Sequence, residues 1–129
     1  MTFHYTVTTQ KTIDEAIASI EKNLKENAFG ILWHLDLTAT LQKKGVNSYT
    51  HPYHILEVCN PVEAAKVLGH NPLIGYFLPC KMAVYEVEGE ARIGLTKPTV
   101  MLGLVNDAEL QMIAKTIEEV LIDVIEKSK

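Results

Sequence analysis

The sequence predicts an α+β domain, a single antiparallel sheet with two long helices on one face, in the order β-α-β4-α with a short inserted helix. Three observations carry this. Long stripes of apolar residues at helical spacing occur near the two ends of the chain, over residues 13–24 and 110–125. Segments whose apolar residues alternate with period two cluster mainly between them. Cap and turn residues fall at the boundaries of these segments, and strands grouped between helices favour an antiparallel sheet over a parallel one.

Phe3, Tyr5 and Val7 alternate with His4, Thr6 and Thr8, the pattern of a half-buried first strand. Thr12 and Glu15 then have the spacing of a capping box, in which the hydroxyl accepts from a first-turn amide and the carboxylate reaches back. Ile13, Ala16, Ile17, Ile20 and Leu24 continue as a helix that stops between Asn27 and Gly30. Ile31, Trp33, Leu35 and Leu37 alternate with Leu32, His34, Asp36 and Thr38 as a second strand, on whose apolar parity Trp33 is expected in the core. Residues 38–44 fit a helical turn or a loop, and 45–51 are polar and exposed.

Tyr53 to Cys59 is a third strand, and Asn60-Pro61-Val62-Glu63 opens the short inserted helix, with Asn as cap and Pro in the first turn. That helix is expected to end near Gly69, followed by an apolar connector from Asn71 to Pro79. Cys80 to Val87 and Ala91 to Thr96 form a hairpin around Glu88-Gly89-Glu90. A second connector starts at Pro98, and Asn106 to Glu109 caps a last helix whose apolar positions run from Leu110 to Ile125.

The chain of 129 residues fits one domain, spanning 1–129, and its 47% apolar and 22% charged residues are ordinary for a globular protein. A net charge of −4 without a basic stripe argues against a nucleic-acid partner. No apolar run approaches the ~18–20 residues of a membrane span, and the first residues lack the pattern of a signal peptide. Two cysteines make no disulfide framework, so a reduced, cytoplasmic setting is expected. No phosphate-binding glycine loop, nucleophile elbow or zinc-ligand spacing is present, and no metal or cofactor is expected.

Several strands carry apolar side chains on both parities: Ile55 against Leu56 and Val58, and Met82 and Val84 against Ala83, Tyr85 and Val87. Two helices shield one face. The other is expected to meet a second copy of the chain or a small ligand, and a homodimer is preferred.

Four residues are candidates for a site. Cys59 ends one strand and Cys80 begins another, so antiparallel neighbours would bring the thiols close, with Cys59 near the positive end of the inserted helix. A redox pair, a reactive thiol or a soft-metal site competes there with two small buried apolar side chains. His34 and Asp36 share one face of the second strand, about 6–7 Å apart at Cα. A carboxylate there would orient an imidazole as a general base, against the plainer reading of a polar pair on a wet face. The leading expectation is a binding cleft near Cys80 and His34. Thiol chemistry is the alternative, and whether the protein is an enzyme stays open.

Cys59-Asn60-Pro61 and Ile74-Gly75-Tyr76-Phe77-Leu78-Pro79-Cys80 resemble the domain-of-unknown-function 302 family. Asn27 to Ile31 leading to Asp36, Val84-Tyr85-Glu86 and Lys97-Pro98-Thr99-Val100-Met101 agree with it, so that the resemblance covers about residues 3–127. It departs at Asn47 to Pro52. The resemblance implies a fold similar to the TATA-binding-protein-like class and a dimer. It implies no activity, and the namesake's DNA binding does not follow from the fold.

Overall fold

The computed structural model describes residues 2–129. Five strands form one antiparallel sheet: β1 (His4–Thr9), β2 (Gly30–Asp36), β3 (Tyr53–Cys59), β4 (Cys80–Val87) and β5 (Glu90–Thr96), in the spatial order β1-β5-β4-β3-β2. The expected α+β architecture is present. α1 (Ile13–Lys25) carries the chain from one edge of the sheet to the other, and α5 (Ala108–Ser128) packs beside it.

The capping box is made in both directions, with the Glu15 amide donating to Thr12 Oγ1 at 3.1 Å and the Thr12 amide donating to Glu15 Oε1 at 2.9 Å. Ala16, Ile20 and Leu24 of α1 and Leu121, Val124 and Ile125 of α5 close over Leu56, Val58, Met82, Val84, Ile93 and Leu95. These strand residues share one face because the ladder sets Leu56 opposite Met82, Met82 opposite Leu95 and Val84 opposite Ile93.

The two connectors are helical. α3 (Pro61–His70) runs one residue past the expected stop, then Pro72–Phe77 winds as a 3-10 helix, and α4 (Pro98–Leu102) continues into a 3-10 turn at Gly103–Val105. Their apolar residues build a second cluster, in which Val67, Ile74, Leu102, Leu110 and Ala114 are buried. The helical turn or loop expected over residues 38–44 is helical: α2 spans Leu37–Lys43, with Asp36 as its N-cap and Lys44 as its C-cap.

Trp33 is not in the core; it is 57% exposed. Ile31 pairs with Val58 but Trp33 pairs with Glu57, so Leu32 is an extra residue in the ladder. This bulge moves Trp33 and Leu35 to the face opposite Ile31, and β2 is also an edge strand. The same shift places His34 and Asp36 on the helix side, level with Leu56 and His54.

Candidate functional site

Of the four expected site residues, Cys59 and Cys80 lie at one end of the ladders of β3, Asp36 at the other, and His34 between them, opposite Leu56. Gly30 pairs with Cys59 at one end of the β2-β3 ladder and Asp36 with His54 at the other, five β3 residues and roughly 16 Å apart. The cavity that Cys59 and Cys80 line includes neither His34 nor Asp36, so the thiols form one place and the His34–Asp36 end of β2 another.

At the first, Cys80 faces Val58 across the ladder and Cys59 is the next residue, one before the Asn60 cap of α3. Both thiols are free and line one small cavity of about 30 Å³ with Phe29, Asn60, Glu63 and Val67. A volume of that size holds little more than a water molecule. Burial first, and then the neighbouring Cys59, push the Cys80 thiol up to about 11. Cys80 is a protonated thiol at neutral pH, not a nucleophile. The Asn60 carboxamide oxygen accepts from the amides of Val62 and Glu63, so the first turn of α3 is already capped.

At the second place, Asp36 does not orient His34. Its Oδ1 accepts from the Ala39 amide at 3.0 Å as the cap of α2. His34 Nε2 instead meets His54 Nδ1 at 2.8 Å. His54 stands two residues before Leu56 on the same strand parity, yet no feature of the sequence alone pairs it with His34; only the β2-β3 register does.

The widest apolar concavity is elsewhere, on the face that α1 and α5 leave open. A groove of about 420 Å³ runs over β1, β5, β4 and β3, bordered by Phe3, Tyr53, Ile55, Ala83, Tyr85 and Gly94, and no helix residue lines it. Tyr53 and Tyr85 pair directly in the ladder and stack, with ring centroids 5.0 Å apart and planes within 20°. Burial, then Tyr85 and Tyr49, raise the Tyr53 phenol above its ordinary value. Lys81 and His4 supply polar groups at the margin, and Phe3 is 58% exposed there. The depth at Gly94 follows from the missing side chain: a Cβ would stand 2.7 Å from Thr6 Oγ1. These residues are visible in the sequence as the second apolar parity of β3 and β4, but the groove depends on strand order.

Among the described residues, no group of three or more His, Cys, Asp or Glu is placed to hold a metal ion, and no helix is long and apolar enough to cross a membrane. No curated protein matches the chain. The crystal structure of an uncharacterized conserved protein DUF302 from Bacillus stearothermophilus is similar over 100% of both chains, with 45% sequence identity and a TM-score of 0.96. The family model for the domain of unknown function DUF302 matches residues 5–128, and the chain belongs to that family.

Proposed function

We propose that the protein is a homodimeric binding domain for a small, flat, mainly apolar molecule, seated on the open face of the sheet. The single observation behind this reading is the 420 Å³ groove with its stacked Tyr53-Tyr85 floor and no helix above it. Apolar concavities with a few polar groups at the margin are the usual seats of small ligands. Stacked phenols favour an aromatic or planar guest, and the exposed Lys81 ammonium at the margin favours one that carries negative charge.

The dimer follows from the same face. Phe3 and Trp33, both more than half exposed, stand near its opposite edges, with Ile55 and Ala83 between. Five strands of about six residues cover roughly 20 by 20 Å. A stable interface removes about 800 Å² from each partner, so the rim side chains must take part. A second copy seated there would roof the groove and convert it into an enclosed cavity. The TATA-binding-protein-like class implied by the resemblance adds no DNA-binding role, given the net charge of −4.

Gel filtration with light scattering should give a dimer at micromolar protein, and a monomer there would remove the dimer from this reading. Anilinonaphthalene sulfonate, a planar aromatic anion, should bind saturably, and Cys59→Ala, a change at a residue that does not line the groove, should leave its binding unaltered. Binding that survives Tyr85→Ala and Lys81→Ala together would place the guest elsewhere.

A thiol-dependent function at Cys59 and Cys80 is the second reading, supported by the one cavity that both side chains line. Burial, which pushes the Cys80 thiol up, disfavours Cys80 as the attacking thiolate in such a function.

A further inference from the structure

The sheet holds two imidazoles nitrogen to nitrogen at an edge, a placement that neither the core nor the groove requires. His34 Nε2 and His54 Nδ1 are 2.8 Å apart, with ring centroids at 5.0 Å and planes tilted by 52°. They project from adjacent antiparallel strands on the helix-side face, where His34 is exposed and His54 half-buried. The groove lies on the other face.

We propose that His34 and His54 form a two-imidazole clamp for a divalent transition-metal ion that takes neighbouring ligands at right angles, octahedral Ni2+ or tetragonal Cu2+. Metal–imidazole bonds are about 2.0–2.1 Å long. Two neighbouring ligands at right angles are then about 2.8–3.0 Å apart, whereas tetrahedral ligands stand about 3.3–3.4 Å apart. The observed 2.8 Å, held by the hydrogen bond of the metal-free pair, already lies close to this right-angle bite. The rings need only turn their lone pairs from each other toward a common point outside the strand pair, which the exposed position of His34 permits.

The proton count closes without release of H+. In the metal-free pair one ring nitrogen donates and the other accepts. Metal binding needs both facing nitrogens bare, so the donating ring exchanges tautomer through solvent: His34 carries its proton on Nδ1 and His54 on Nε2. Among the described residues neither of those outer nitrogens is engaged in another hydrogen bond, so no protein group opposes either tautomer. Asp36 lies directly across from His54 on the same face, and its negative charge favours a cation there although its Oδ1 caps α2. With no third protein ligand in the described residues, water completes the coordination sphere. The strands fix both Cα positions, so the ordering cost of the clamp falls on side-chain rotations alone.

Ni2+ is the probe of choice, because thiols do not reduce it as they do Cu2+. Isothermal calorimetry of the full chain with Ni2+ should show saturable uptake of one ion per protomer. His34→Gln and His54→Gln should each weaken it by at least about tenfold, the least that altering even the outer partners of a metal ligand usually costs. His51→Gln should leave it unchanged. In amide NMR spectra, paramagnetic broadening should centre on β2 and β3 around residues 34 and 54. Three results would each overturn the clamp: no saturable uptake at millimolar Ni2+, an affinity in either Gln variant equal to that of the parent, or broadening centred on His4, His51 or His70. Circular dichroism of the two variants separates loss of the site from loss of the fold.

Discussion

At Gly94 the sheet depends on a missing side chain. A Cβ there would lie 2.7 Å from Thr6 Oγ1 and 3.2 Å from the Tyr5 carbonyl oxygen, one contact movable and the other backbone. Gly94→Ala is therefore expected to destabilise by about 1–3 kcal/mol, the usual cost of overpacking. Thermal unfolding checks it, and an unchanged midpoint would mean that β1 shifts freely away from β5. Cys80 offers a second measurement at this scale. With its thiol pushed up to about 11, alkylation by iodoacetamide should stay slow near neutrality and climb as pH approaches that value. Rapid modification of Cys80 near neutral pH would contradict the burial that holds it protonated. Trp33 shows how one residue defeats an alternation pattern. The parity of β2 is legible in the sequence, but the extra Leu32 that inverts it is set by pairing with β3.

Among the elements, the junction of α3 with α5 carries a pH dependence. His70 in the last turn of α3 meets Asp107, the cap of α5, at 2.8 Å, and Glu109 at 3.2 Å. The Asp107 hydrogen bond is the main cause that raises His70 above its ordinary 6.5, and the same bond lowers Asp107 below 3.8. A raised His70 contributes stability in full below 6.5, and that contribution is lost as pH climbs through its folded value. A lowered Asp107 contributes above 3.8, and its share is lost as pH falls through its folded value. The contact is fully formed between those two limits. In urea unfolding, the stability difference between the parent and His70→Gln should be largest near about pH 5.5 and shrink toward alkaline pH. A difference that stays constant to about pH 9 would show that the charge on His70 is irrelevant. The caps of α1, α3 and α5 are written locally as Thr12, Asn60 and Asp107 and are all used. The 3-10 segment Pro72–Phe77 and α4 were not legible as helices, because each is too short to show a period and is held by the cluster around Ile74 and Leu102.

For the whole molecule, the consequential feature is a sheet covered on one side. Ala83 sits mid-sheet on the open face, between Ile55 and Gly94 in the ladder. Ala83→Glu should leave the α1–α5 core intact, since Met82 and Val84 face that core and Ala83 does not. The substituted chain is expected to run as a monomer in light scattering and to lose anilinonaphthalene sulfonate binding, with its helical circular dichroism unchanged. A dimer that persists would place the interface elsewhere, for instance along the β2 edge with its exposed Leu32 and Trp33.

The sequence by itself determined the order of the strands and long helices, the starts of α1, α3 and α5, and the core stripes of α1 and α5. Each of these is encoded within one turn of helix or a few residues of strand, where caps and periodicity act locally. Only the tertiary structure decided that β1 lies beside β5, that Leu32 bulges, that His34 meets His54 rather than Asp36, and that the open groove and the imidazole pair lie on opposite faces of the sheet. Those outcomes come from pairing between strands distant in the chain. A one-residue change of register there reverses which side of the sheet a side chain occupies, and no local pattern records it.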